Sequence, residues 1–247
     1  MRGKYDQVNE FLKALPQIDP AKPLAIVDCG CGKAYLTLAL YGFLTEALGA
    51  KDVRVIGIDR REDVVAAAQE MAKRLDWQPR VSFVRQDLAA FDLEKRPGEE
   101  VLAVSLHACD TATDEALAKA VEWKAKWVLS APCCQHELQK SIAGAGSNAA
   151  FAGLLRQSIL RERMCDILTD AFRALIMRIL GYRTQVVEFV APDKTARNIL
   201  LKCESGLKPG QAQTVSEYLA LRDFWKVVPW LESRLATRLE TIFGRYE

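Results

Sequence analysis

Short, mostly apolar runs alternate along the first half of the chain with longer stretches in which apolar residues recur every three or four positions. The runs at 24–27, 53–58, 81–85, 101–106 and 127–131 read as strands, the second of them buried. The intervening stretches read as amphipathic helices. Residues 4–15 carry Tyr5, Val8, Phe11, Leu12 and Leu15 on one face, and residues 35–48 carry Leu36, Ala39, Leu40, Phe43 and Leu44 before Gly49 stops them. Further helices are expected over 61–75, after Asp110 with Thr111 or Thr113 as cap, and over 151–180, where Leu155, Ile159, Met164, Ile167, Leu168, Phe172, Leu175 and Ile179 form a stripe for one long helix or two. Residues 182–190 and 198–203, joined by APDKTAR, read as a closing strand pair. A last helix over 215–246 is interrupted at Pro229, and AGAGSNAA at 143–150 reads as a loop. Strand and helix in strict alternation predict a mostly parallel α/β sheet.

Composition narrows this picture. With 247 residues, half of them hydrophobic, one large domain accounts for the chain. The expected division is an N-terminal helix and linker at 1–22 that ends among Pro16, Pro20 and Pro23, an α/β domain at 23–205, and a helical extension at 206–247. Seven cysteines, an odd and scattered set, fit a reducing cytosol better than disulfide stapling. No signal-like segment opens the chain and no apolar run reaches membrane-spanning length, so a cytoplasmic protein without membrane contact is expected. Lys and Arg exceed Asp and Glu by only two. Overall charge therefore does not mark a nucleic-acid binder, and any basic surface must be local. Arg2, Lys4, Arg156, Arg161, Arg163 and Arg197 are the candidates for phosphate contacts, set against the plainer reading of a solvated face.

The candidate chemistry starts at the end of the first strand, in DCGCGKA. Gly30 and Gly32 open backbone angles closed to other residues and let a ligand approach the main chain, and Asp28 stands at the strand end. A dinucleotide fingerprint requires Gly or Ala at its sixth position, counted from Gly30, where this chain has Tyr35. The pattern D-x-G-x-G-x-G/A, completed by Ala34, is instead similar to the S-adenosylmethionine (SAM) signature. Asp59 ends the second strand, twenty-seven residues after Gly32, where nucleotide-binding α/β folds set an acid against ribose hydroxyls. Asp87 follows the third strand. The cofactor set is therefore Asp28, Gly30, Cys31, Gly32, Asp59, Arg60, Asp87, Leu88 and His107.

Both histidines and three cysteines fall between 107 and 136, at the ends of the fourth and fifth strands. Ligands of open parallel sheets bind outside those ends. Methyl transfer is an in-line displacement that needs alignment and removal of a proton from the acceptor, a task suited to histidine. One reading makes His107, Asp110 or His136 a base or a positioning group for a hydroxyl. A second makes Cys133 or Cys134 a nucleophile on a pyrimidine ring. A third assembles zinc from His107, Cys109, Cys133 or Cys134, and His136, but lacks a recognised ligand spacing, and no metal is assigned. The catalytic set is His107, Asp110, Cys133, Cys134 and His136. Cys29, Cys31, Cys165 and Cys203 fit simple packing as well. The Asn/Asp-Pro-Pro-aromatic run of amine methyltransferases is absent after the fourth strand, where Ser105-Leu106-His107-Ala108 stands.

SLHACDTATDEAL and VLSAPCCQHEL, together with DCGCGKAYL, resemble a family of class I SAM-dependent methyltransferases that includes the eukaryotic tRNA ribose 2'-O-methyltransferases acting in the acceptor stem. The similarity spans roughly residues 4–203. His107, Cys109, Thr113 and Asp114 match the H-x-C-G-x-A-T-D motif, with Asp110 in place of its glycine; Cys133, Cys134 and His136 match C-C-H-H, with Gln135 in place of the first histidine. The resemblance implies a Rossmann-like sheet of seven mostly parallel strands with helices on both faces, SAM as cofactor, and RNA, as tRNA or rRNA, as substrate at a ribose 2'-hydroxyl. Pyrimidine C5 methylation, methylation of a protein or small molecule, and a non-catalytic SAM-binding module are the alternatives. The zinc modules of the eukaryotic enzymes are absent from this chain.

Overall fold

The computed structural model of the protein describes residues 2–106, 108–133, 135–144, 149–190 and 198–246. His107, Cys134 and Arg197 lie outside the described residues, as do the side chains of Arg2 and Lys4. Seven strands form one sheet: β1 Leu24–Cys29, β2 Val53–Asp59, β3 Val81–Arg85, β4 Glu100–Leu106, β5 Trp127–Ala131, β6 Tyr182–Glu188 and β7 Ile199–Ser205. Their order is β3-β2-β1-β4-β5-β7-β6. All neighbouring pairs are parallel except those made by β7, which runs antiparallel to both β5 and β6. The closing antiparallel pair expected from the sequence is thus present. β1 and β4 are neighbours but not consecutive, so the connections leave to opposite sides there, and the carboxyl ends of β1 and β4 open a crevice.

Helices cover both faces because the central strands are buried on both. α1 (Arg2–Lys13) and α2 (Tyr35–Gly42) pack with one face, where Phe11, Leu36, Leu40 and Leu44 meet Ile26, Val55 and Leu102. α3 (Glu62–Arg74) covers the β2–β3 edge through Val65, Ala68 and Ala72. α4 (Thr111–Glu122), α5 (Glu137–Gly144), α6 (Ala152–Leu155) and α7 (Ser158–Ile179) follow, and α8 (Ala212–Trp225), α9 (Trp230–Arg234) and α10 (Ala236–Phe243) end the chain. The last three share one core with β1, α4 and α7: Tyr218, Leu231, Leu239 and Phe243 lie in the same cluster as Val27, Leu117 and Phe172.

Several boundaries differ from the periodicity for physical reasons. The helix opening at Tyr35 relaxes into a π turn over Phe43–Ala47, closed by the Leu48 N–H donating to the Phe43 carbonyl at 3.1 Å. Two expectations hold: the 151–180 stripe is two helices, α6 and α7, and the interruption at Pro229 separates α8 from α9. Neither Thr111 nor Thr113 caps α4: Asp110 holds the cap position, and the Thr113 hydroxyl donates to the Ala108 carbonyl at 2.6 Å. α5 and a 3-10 turn at Ala149–Phe151 flank residues 145–148, which lie outside the described part of the expected 143–150 loop.

Candidate active site

The turn after β1 takes positive φ at every second residue: Gly30 at 83°, Gly32 at 53° and Ala34 at 59°. Those three positions are the small residues of the D-x-G-x-G-x-A pattern, and the left-handed backbone explains why the pattern needs them. The loop is pinned from β2. Gly30 and Cys31 N–H groups both donate to the Ile58 carbonyl at 2.9 Å, and Gly32 N–H donates to Asp59 Oδ2 at 3.0 Å. A Cβ on Gly30 would meet nothing within 4 Å. Its main chain therefore faces open space.

Two cavities flank this loop. The larger, about 520 Å³, is lined by Gly30, Asp59, Arg60, Asp87 and Leu88 among the expected residues, and by Cys109 at the end of β4. The smaller, about 210 Å³, is lined by Asp28, Gly30, Cys31 and Gly32, with Gln7 of α1, Lys33 and Arg61. The expected cofactor residues within the described chain are thus brought together around one loop. Asp28 borders its cavity from beneath: it is buried, and its Oδ2 accepts from the Thr37 hydroxyl at 2.5 Å. Burial pushes its carboxyl up to about 7 against the lowering effect of Thr37, and the nearby Asp59 charge adds to the rise. Cys31 is buried, and the same desolvation, with the charges of Asp28 and Asp59, raises its thiol far from any reactive range.

Asp59 accepts four hydrogen bonds. Besides Gly32, it accepts from Arg61 N–H and Nε at Oδ1, at 3.0 and 3.1 Å, and from an Arg61 terminal nitrogen at Oδ2, at 3.1 Å. Partial burial pushes its carboxyl up, but the Arg61 and Gly32 bonds outweigh this and hold it below the ordinary value. Arg60, expected from the sequence, points to solvent and approaches Asp87 only at 4.0 Å. Arg61 was not expected; it lines both cavities. Asp87 caps the short turn Leu88–Ala90 by accepting from the Ala89 N–H at 3.0 Å through one oxygen, while Arg60 lies 4.0 Å from the other. Glu115 of α4 and Trp230 of α9 complete the wall, and Arg234 holds Glu115 through three hydrogen bonds of 2.9 to 3.2 Å from two of its nitrogens. Neither residue was singled out from the sequence: Glu115 sits one turn into α4, and Trp230 reaches the cleft only through packing of the C-terminal helices.

The β4 and β5 ends meet beside the larger cavity. Cys109 Sγ lies 3.2 Å from Cys133 Sγ, with Cys109 exposed and Cys133 half-buried. Asp110, one of the expected candidates for base or positioning group, holds structure through one oxygen: its Oδ1 accepts the backbone N–H groups of His136 at 2.9 Å and Glu137 at 3.1 Å, tying the loop after β5 and the start of α5 to the loop after β4. A carboxylate at a helix N-terminus is favourable there. Asp110 also takes φ of 53°, the region glycine favours, at the position where the resembling enzymes have glycine. His136 keeps an exposed side chain beside this tether. Below it, Gln135 Nε2 donates to Asp170 at 2.9 Å, and the buried Arg173 forks onto Asp114 through two bonds of 2.7 Å while also reaching Asp170 at 3.2 Å and the Asp110 carbonyl at 3.1 Å. Burial opposes the Arg173 charge, yet the paired carboxylates hold it above its ordinary value. A third cavity, about 330 Å³, lies between this loop and α7, lined by Cys133, Gln135, Ile159, Asp166 and Asp170. Among the described residues no group of three or more His, Cys, Asp or Glu side chains is set to hold a metal ion.

A family model described as a methyltransferase domain matches residues 3–141, more than half of the chain and all of the loop, β2, β3, β4 and β5 ends just described. The chain belongs to this methyltransferase-domain family. It is a methyltransferase of the class I, Rossmann-like fold, and SAM is its methyl donor. The methyltransferase is similar in fold to an rRNA methylase from Streptococcus thermophilus (TM-score 0.51, 13% identity, 84% of this chain and 98% of that one). It is also similar to a geranyl diphosphate C-methyltransferase from Streptomyces coelicolor A3(2) (TM-score 0.50, 10% identity, 82% of this chain and 79% of that one). No curated protein sequence matches the chain. Among the described residues no helix is long and apolar enough to cross a membrane. The residues present fit the donor: the larger cavity offers Asp59 and Asp87 to hydroxyl and amino groups, and the exposed Gly30 main chain leaves room for close approach. The bound donor supplies an electrophilic methyl group on a sulfonium.

Proposed function

We propose that this methyltransferase acts on RNA, at a ribose 2'-hydroxyl, in the cytosol. The observation that carries the reading is the meeting of the β4 and β5 ends, where Cys109 and Cys133 touch at 3.2 Å and one sulfur borders the larger cavity while the other borders the cavity on α7. The two motifs that resemble those of the tRNA ribose methyltransferases are contiguous at the place an acceptor must reach. On this reading Asp59, Asp87, Leu88 and the Gly30–Gly32 main chain hold the donor, with Asp28 beneath. His136 takes the proton from the hydroxyl, and the Asp110 tether fixes the backbone that carries it. Excluding water and aligning the hydroxyl with the methyl group then supply the remaining catalysis.

Mass spectrometry of nucleosides from a deletion strain and its parent tests the reading. The expected result is loss of one 2'-O-methyl nucleoside. Loss of a C5-methyl pyrimidine instead would assign Cys133 or Cys134 as nucleophile, and unchanged RNA would move the acceptor to a protein or a small molecule.

A further inference from the structure

Every acceptor position of Asp59 is filled in the structure: a carboxylate offers about four, and Gly32 takes one while Arg61 takes three. Two of the Arg61 bonds come from its guanidinium. An acid that is to receive ribose hydroxyls must give up some of these bonds. The Gly32 and Arg61 main-chain bonds belong to the fold of the loop, so the guanidinium is the partner that can leave. The Arg61 side chain is 62% exposed whereas that of Asp59 is 10% exposed, so the guanidinium is the partner already in water and able to turn away.

The surroundings of Arg61 indicate where it goes. It is shared by the two cavities on either side of the glycine loop, and a Cβ on Gly32 would lie 3.8 Å from its terminal nitrogen. The smaller cavity carries Lys33 and Arg61 at its rim and Asp28 beneath. Cations above an acid suit a zwitterionic amino-acid group, and a guanidinium fork matches a carboxylate through two parallel bonds. We propose that Arg61 is the residue that recognises the α-carboxylate of the donor, exchanging Asp59 for that carboxylate as the donor binds and so releasing Asp59 to the ribose. Arg61 thereby couples occupation of the smaller cavity to occupation of the larger one. The inference rests on the donor assignment.

Calorimetry with two ligands tests it. S-adenosylhomocysteine carries the amino-acid end, and 5'-methylthioadenosine has the same nucleoside without it. In Arg61→Ala, affinity for S-adenosylhomocysteine should fall by about tenfold or more, the size expected for charge-assisted hydrogen bonds. Affinity for 5'-methylthioadenosine should hold or rise, because Asp59 no longer has a competitor. Arg61→Lys, which keeps the charge and loses the fork, should fall between wild type and Arg61→Ala for the first ligand. Equal losses for both ligands, or no loss for S-adenosylhomocysteine, would overturn the proposal. Failure of the wild-type protein to bind either ligand would overturn the donor assignment and the proposal with it. Thermal melting of each variant shows whether it is folded, which the exposure of Arg61 leads us to expect.

Discussion

Replacing Asp28 with Asn separates the electrostatic cost of the acid under the glycine loop from its packing. Asp28 is 1% exposed, and its hydrogen bond from Thr37 does not compensate for desolvation, so its carboxyl rises from the usual 3.8 to about 7. At about 1.4 kcal/mol per tenfold change in proton affinity, that rise corresponds to about 4 kcal/mol. Below pH 3.8 the group is protonated whether the chain is folded or unfolded, and it costs nothing. As pH rises from 3.8 to 7 the unfolded chain loses the proton while the folded chain retains it, so stability falls, and the loss is complete above 7. In Asp28→Asn this contribution is absent. An amide oxygen can still accept from Thr37, and any cost of its buried NH2 group is independent of pH. Urea denaturation of both proteins at several pH values between 4 and 8 provides the test. The stability of wild type relative to the variant should decline by about 4 kcal/mol across that window. A difference that stays constant with pH would refute the reasoning and show that Asp28 titrates near its ordinary value.

Asp110 predicts a reversal of the usual order of Gly and Ala substitutions. Asp110→Gly loses the bonds to His136 and Glu137 but keeps the backbone at its φ of 53° without strain, whereas Asp110→Ala loses the bonds and pays for the strain; thermal melting should place the Ala variant below the Gly variant by about 1 kcal/mol. Arg173→Met leaves Asp114 and Asp170 buried without their cation and should cost about 3–5 kcal/mol in urea denaturation. Asp114→Asn, with a smaller electrostatic change at the same fork, should cost less.

The sheet was legible because its central strands are buried on both faces. That burial writes mostly apolar runs into the sequence, as at β1 and β5, while the edge strand β3 showed itself by alternation, its Val81 and Phe83 buried between more exposed neighbours. The glycine loop was legible too, since positive φ at 30, 32 and 34 restricts those positions to small residues. Side-chain partners were not. Arg60 and Arg61 are adjacent and chemically identical, and only the turn after β2 decides that the second reaches back to Asp59 while the first points outward. Asp110 read as chemistry because acids at strand ends often are; its partners are backbone N–H groups 26 and 27 residues away, which no local pattern encodes. Glu115 and Trp230 lie more than a hundred positions apart and meet at the cleft only because the C-terminal helices pack into the core of the sheet. His107 and Cys134, central to the sequence reading of the acceptor side, lie outside the described residues.

Transfer of labelled methyl groups tests the central claim most directly. Purified protein, total RNA from a deletion strain and SAM carrying a tritiated methyl group would be incubated together, and the RNA then hydrolysed with alkali. A ribose 2'-O-methyl group blocks cleavage of the adjacent phosphodiester, so the account predicts label in alkali-resistant dinucleotides. Label released entirely in mononucleotides, or no label in RNA, would contradict it.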